Sequence, residues 1–83
     1  MGSKKIQAIL DTLTEQDRVL IVCAYQLYDG NWDTLLNDLL ARLEGRPYVL
    51  KLGERIQEDI QRVRKLTEIE RRYKIRLGDY IKI

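Results

Sequence analysis

Apolar residues recur at three- and four-residue intervals along most of the chain, which is the spacing of one face of an α-helix. The first run, from about Ser3 to Leu13, carries Ile6, Ile9, Leu10 and Leu13. The segment Thr14-Glu15-Gln16-Asp17 that follows is typical of an N-cap with an acidic first turn, in which Asp17 completes a variant capping box with Thr14. The pattern therefore predicts a short first helix and the start of a second one.

The second predicted helix is apolar nearly all round from Val19 to Tyr28. Such a helix is normally enclosed by neighbours on several sides, so we expect it to be the central core element. Cys23 lies in this stretch, where a thiol is usually an inert core group. Asp29-Gly30-Asn31 should end the helix, because Gly and Asn tolerate the left-handed backbone common just past a helix end.

A third helix is predicted to open at Asn31 or at Trp32-Asp33 and to end at Gly45. Its amphipathic stripe consists of Leu35, Leu36, Leu39, Leu40 and Leu43. The indole of Trp32 should plug a helix junction. The segment from Arg46 to Gly53 is predicted to be a loop, since Pro47 disfavours helix at Arg46 and Gly53 precedes a new helical pattern.

The fourth predicted helix, from about Glu54 to Leu77, is the longest, at roughly 36 Å, and Gly78 should end it. Its apolar stripe consists of Ile56, Ile60, Val63, Leu66, Ile69, Tyr73 and Leu77. Three favourable ion pairs at i,i+4 are predicted on its surface: Glu58–Arg62, Glu68–Arg72 and Glu70–Lys74. The tail from Asp79 to Ile83 alternates like a strand, but so short a segment without a partner leaves its conformation open.

Composition favours one soluble domain over residues 1–83, in which Met1-Gly2-Ser3 resembles a cloning remnant and residues 78–83 form a tail. Hydrophobic residues make up 45% of the chain, enough for a core, and charged residues 34%, which argues against disorder. The single cysteine excludes an intramolecular disulfide and favours a reducing, intracellular compartment. No apolar run approaches the roughly 18 residues that span a bilayer, so we expect no membrane partner.

Candidate chemistry is sparse. The chain has no histidine, which removes the commonest general base and metal ligand. No Gly-rich loop resembles a phosphate cradle, and most carboxylates neighbour Lys or Arg on predicted helix faces. We therefore predict no catalytic residue, no metal site and no cofactor.

Positive charge is concentrated in the fourth helix, where residues 62–76 carry seven basic side chains against Glu68 and Glu70. At 100° per residue, four cations share a sector about 80° wide beside the apolar stripe: Arg62, Lys65, Arg72 and Arg76. They are candidates for contacting nucleic-acid phosphates, with Arg46, Lys51 and Arg55 as secondary candidates. The alternative is an ordinary solvated face, because Glu54 and Glu58 lie in the same sector.

Part of the sequence resembles a Myb/SANT-type repeat, in which an acidic first turn opens the first helix and a Gly-Asn-Trp turn opens the second. The residues that carry the resemblance are Thr14-Glu15-Gln16-Asp17, Ile21, Ala24-Tyr25, Tyr28 and Gly30-Asn31-Trp32-Asp33-Thr34-Leu35. More faintly, the stretch from Glu54 to Arg71 resembles the long third helix of the SLIDE variant found in imitation-switch chromatin remodellers. The similarity covers roughly residues 13–72.

This resemblance implies an all-α, four-helix domain: a short N-terminal helix before a three-helix Myb/SANT-like core whose last helix is long. It also implies a DNA-binding or histone-tail-binding module in the nucleus; without it, a cytoplasmic location is expected. In DNA-binding members the third helix faces the duplex, and here that helix carries the cationic sector. We would expect weak sequence preference and strongly salt-dependent affinity, since such cations suit phosphate contact.

A second hypothesis is a protein-interaction or assembly domain. The fourth helix should extend its apolar stripe past the length that its shorter neighbours can cover, and uncovered apolar stripes usually bind a partner. That partner would be another protein or a second copy of the chain.

Overall fold

The computed structural model describes residues 3–45 and 50–81. Four α-helices and one 3₁₀ turn occur in these ranges: α1 (Ser3–Asp11), α2 (Glu15–Leu27), α3 (Trp32–Gly45), α4 (Leu50–Tyr73) and the turn Leu77–Asp79. None of the described residues forms a strand. The prediction of a small all-α domain with four helices is confirmed.

The long helix α4 is the scaffold of the domain, and both α2 and α3 pack against it. The centre of the core contains Ile21 of α2 together with Val63 and Leu66 of α4, all at most 1% exposed. Leu10 and Leu13 bring α1 and its following turn to the same core, although α1 ends at Asp11 rather than at Leu13 as predicted. The molecule is elongated, with extents of 48 × 22 × 22 Å.

The start of α2 is a reciprocal capping box, as the sequence predicts. The Asp17 backbone N–H donates to Thr14 Oγ1 at 3.1 Å, and the Thr14 N–H donates to Asp17 Oδ2 at 2.9 Å. The predicted turn after α2 is also confirmed, because Asp29 and Gly30 have φ of +53° and +79°. Asn31 then caps α3 by accepting the Thr34 N–H at 3.2 Å.

The expectation that α2 is enclosed on several sides is wrong. Ile21 and Ala24 face the core, but Val19 is 62% exposed and Leu27 is 73% exposed. Cys23 is half-buried. The reason is geometric: α2 packs against α4 and the 3₁₀ turn, so its opposite side is left to solvent.

Helix α4 begins at Leu50, earlier than the predicted Glu54, so Gly53 lies inside the helix rather than in a loop. Residues 46–49, the rest of that predicted loop, lie outside the described residues. A helical glycine costs about 1 kcal/mol relative to alanine. The packing of α3 along α4 outweighs this cost, and Gly53 itself faces Leu43 of α3.

Helix α4 also ends earlier than predicted, at Tyr73 rather than at Leu77, so Gly78 is not its stop signal. Lys74 takes the left-handed conformation with φ of +55°, and the Ile75 N–H donates to the Glu70 carbonyl oxygen at 3.2 Å. After the reversal, Leu77 lies in the core with no exposed surface. From Asp79 to Ile81 the tail does not form a strand, and Ile81 is buried. Residues 82–83 lie outside the described part.

Candidate functional site

Two of the four cations predicted to contact phosphates are engaged by the domain's own carboxylates. Arg62 Nη1 lies 2.8 Å from Asp59 Oδ1, and its Nη2 lies 3.8 Å from Glu58 Oε2. Lys65 Nζ lies 2.6 Å from Asp17 Oδ2. The predicted Glu58–Arg62 pair is therefore present, and neither Arg62 nor Lys65 projects as an uncompensated charge.

Asp17 performs two tasks, since the oxygen that caps α2 also binds Lys65 across the domain. Burial by itself would raise the pKa of this carboxyl, because desolvation disfavours its charged form. Hydrogen bonds from the Lys65 ammonium and the Thr14 backbone outweigh that effect, and the pKa of Asp17 is lowered from 3.8. Its other oxygen, Oδ1, is buried and has no hydrogen-bond partner among the described residues.

Neither of the other two primary candidates forms a salt bridge within the described residues. Arg76 follows the end of α4, so the prediction that it shares one helical sector with Arg62 and Lys65 is wrong. Its guanidinium carbon lies 5.3 Å from the centroid of the Tyr25 ring. Arg72 is exposed on the last turn of α4 and lies 6.0 Å from the Tyr73 ring centroid.

The secondary candidates add no continuous basic surface. Arg55 is exposed at a cleft between α2 and α4 that is also lined by the acidic Glu15, Glu58 and Asp59. Arg46 lies outside the described residues, and the same holds for the side chain of Lys51. The described cations therefore do not form the single open stripe predicted from the helical spacing of the sequence.

A polar hub that the sequence reasoning missed is centred on Glu70. Its Oε1 accepts the Trp32 indole N–H at 2.9 Å, while Oε2 accepts the Tyr25 hydroxyl and the Leu77 backbone N–H, the latter at 2.9 Å. The predicted Glu70–Lys74 pair is thus wrong, because this carboxylate faces inward and ties α2 and α3 to the reversed chain. The available signal was its position directly after Ile69 in the apolar stripe.

This hub also holds Tyr25 and Trp32 in place. Burial and the hydrogen bond to Glu70 raise the pKa of Tyr25 above 10.0. Trp32 is buried and meets Tyr25 edge to face, with ring centroids 6.4 Å apart, so its predicted structural role is confirmed.

The predicted Glu68–Arg72 pair is replaced by Glu68–Arg71, at 2.8 Å.

A groove between α1 and α4 combines apolar side chains with several of the cations. We call its apolar lining residues the floor: Ala8 and Ile9 of α1, and Ile69 and Tyr73 of α4. We call its polar lining residues the walls: Lys5, Thr12, Lys65, Glu68 and Arg72. The groove holds about 470 Å³. Of the α4 stripe, Ile69 is half-buried here and Tyr73 is 36% exposed.

Little else in the described ranges resembles a chemical site. No group of three or more His, Cys, Asp or Glu side chains there is arranged to hold a metal ion. Among the same residues, no helix has the length and apolarity needed to cross a membrane.

Comparison of the chain with protein-family models, with curated proteins and with solved structures found no match. The resemblance to a Myb/SANT-type repeat therefore stays a prediction. The surfaces of the domain, chiefly the α1/α4 groove and the cations around it, are the remaining indication of its function.

Proposed function

We propose that this chain is a non-catalytic protein-binding domain that holds an amphipathic segment of a partner protein in the α1/α4 groove. The observation that carries the proposal is the uncovered apolar floor of that groove, made by Ala8, Ile9, Ile69 and Tyr73. Amphipathic helices commonly bind in such grooves with a few apolar anchors. This is the second of the two functions that the sequence suggests.

The pairing of the cations favours this function over nucleic-acid binding. Arg62 and Lys65 have carboxylate partners at 2.8 Å and 2.6 Å, which a phosphate would have to displace. A partner's apolar side chains need no such exchange, because the floor between α1 and α4 is already open. Burying this floor would release its water and favour association.

The test is selection from a phage-displayed library of random peptides of about 16 residues, with the full chain as the immobilised target. The amide chemical-shift map of the chain with a selected synthetic peptide then locates the contact. We expect the largest shifts at Ala8, Ile9 and Ile69. Failure to select any binder, or shifts confined to other surfaces, would remove the proposal.

A matched pair of variants makes this test specific. Ala8→Glu places a charge on the floor of the groove, at an exposed helical position where folding should be preserved. Ala41→Glu makes the same change at an exposed position of α3, outside the groove. We expect Ala8→Glu to abolish peptide binding and Ala41→Glu to leave it unchanged.

Nucleic-acid binding is the second candidate, and one observation favours it. Arg72, Lys74 and Arg76 are exposed near the end of α4, and no acidic residue lies between residues 71 and 78. The test is titration of duplex DNA at about 50 mM and about 300 mM salt, where phosphate contacts predict a steep loss of affinity. The double variant Arg72→Gln/Lys74→Gln should reduce that salt dependence, whereas Arg55→Gln should not; salt-independent or absent binding would remove this candidate.

A further inference from the structure

We infer that the occupant of the α1/α4 groove is an acidic amphipathic helix, an inference that rests on the proposed function. The first support is the charge on the groove walls. Lys5 on α1 and Arg72 on α4 have no carboxylate within ion-pair distance among the described residues. Both cations therefore lie beside the apolar floor, where they can pair with carboxylates of a bound helix.

The remaining charges on the walls do not cancel this excess. Glu68, the acidic residue that lines the groove, is already held by Arg71, whose Nη2 lies 2.8 Å from its carboxylate. Lys65 shares its charge with the buried Asp17, yet 48% of its side chain is exposed. Because Asp17 already compensates Lys65, the excess positive charge of the walls comes from Lys5 and Arg72.

The dimensions fit about two turns of helix. Lys5 of α1 and Thr12, the residue just after its end, line this side of the groove, and seven residues at the helical rise of 1.5 Å separate them by roughly 10 Å. Two turns of a guest helix place two apolar side chains at i and i+4 on the floor. Carboxylates on either side of those anchors would then reach Lys5 on one wall and Arg72 on the other.

An acidic peptide suits this surface better than a nucleic acid does. A phosphate backbone would pair with the cations but would leave Ala8, Ile9 and Ile69 without an apolar partner. An acidic amphipathic helix satisfies both the floor and the walls, so charge and apolar pattern together determine the occupant. Charge complementarity should also accelerate association and impose salt dependence on it.

The experiment uses three synthetic helical peptides of about 14 residues with identical apolar positions and with flanks of Glu, Gln or Lys. Fluorescence anisotropy gives their affinity for the full chain at about 50 mM and about 300 mM salt. We expect the Glu peptide to bind about ten-fold more tightly than the Gln peptide at low salt, and this ratio to shrink at high salt. The Lys peptide should bind most weakly.

Matched variants assign the effect to the groove walls. Lys5→Gln and Arg72→Gln should each weaken the Glu peptide about three-fold and leave the Gln peptide unchanged. Lys4→Gln and Arg55→Gln, which remove exposed cations outside the groove, should have no effect.

The outcomes separate this inference from the function on which it rests. Equal affinity for all three peptides, with shifts in the groove, would overturn the acidic preference while the protein-binding function stands. Absence of binding by every synthetic peptide and by every library-selected peptide would overturn both. Stronger binding of a short DNA duplex, with shifts at Lys5 and Arg72, would overturn the acidic-peptide assignment in favour of nucleic acid.

Discussion

The ammonium of Lys65 lies 2.6 Å from Oδ2 of Asp17, a carboxylate with no exposed surface. This contact joins the first turn of α2 to the middle of α4, 48 residues away in sequence. The same oxygen caps α2, so one atom links local helix initiation to tertiary packing. A cation expected to face phosphates therefore contributes to the stability of the fold.

Removal of the Lys65 charge should be more damaging than removal of an ordinary surface charge. Lys65→Met leaves the buried Asp17 carboxylate without its strongest partner, and we expect a loss of about 1–3 kcal/mol in the free energy of unfolding. Arg64→Met, at an exposed neighbouring position, should change it by less than about 0.5 kcal/mol. Urea denaturation of both variants measures the difference, and equal stabilities would contradict the role of Lys65.

The lowered pKa of Asp17 predicts how stability depends on acid. A carboxyl whose pKa is lower in the folded state contributes stability that is fully present above its unfolded value, near 3.8, and is lost as the pH falls through the folded value. The stability difference between the wild type and Asp17→Asn should therefore be largest near neutral pH and should narrow below pH 3.8. Denaturation at a series of pH values tests this, and a constant difference down to pH 2 would argue against it.

The hub at Glu70 should tolerate no loss of acceptor capacity. Glu70→Gln offers one carbonyl oxygen to three donors, from Tyr25, Trp32 and Leu77, so at least one of them loses its partner. We expect a loss of about 2 kcal/mol in unfolding free energy, together with a change in tryptophan fluorescence. The control Glu68→Gln removes only a surface pair and should cost less than about 1 kcal/mol.

Two glycines should respond in opposite directions to the same substitution. A Cβ at Gly78 would lie 2.5 Å from the Tyr25 ring, so Gly78→Ala should destabilise the domain by displacing that ring. A Cβ at Gly53 would meet Leu43 at 3.8 Å, an ordinary contact, so Gly53→Ala should stabilise helix α4 by about 0.5–1 kcal/mol. Thermal denaturation reports both signs, and a stabilised Gly78→Ala variant would contradict the close approach of Tyr25.

Leucines of α2 and α4 should differ sharply in their contribution to stability. Leu66 has no exposed surface, and Leu66→Ala should cost about 2–5 kcal/mol through lost burial and the cavity left behind. Leu27 is 73% exposed, and Leu27→Ala should change stability by less than about 0.5 kcal/mol. A large loss for Leu27→Ala would show that the outer side of α2 is covered in solution.

The helix ends that depend on neighbouring residues were predictable from the sequence. The Thr14–Asp17 capping box and the turn at Asp29-Gly30 have short-range causes, namely hydrogen bonds within one turn and the backbone freedom of glycine. The start of α3 at Trp32 follows from the same turn. These features depend only on residues close in sequence, so a periodicity argument reaches them.

Both ends of α4 were mispredicted because their causes are distant in sequence. Gly53 is helical because α3 packs along the first turn of α4. Helix α4 stops at Tyr73 because Glu70 accepts the Leu77 N–H and the core accommodates the Leu77 side chain. Neither cause is visible in helical propensity. The prediction of one cationic sector was wrong for the same reason, since the carboxylate that pairs with Lys65 comes from the distant helix α2.

The sequence by itself determined the helical class, the order of the four helices and the local caps, since each depends on spacing and hydrogen bonds within a few residues. Only the tertiary structure decided which charges remain available and which apolar face stays open. Ion pairing and burial are properties of groups brought together from distant positions. In this chain they turn Lys65 and Glu70 inward as structural links, and they leave the α1/α4 groove beside Lys5 and Arg72 as the surface on which function is proposed.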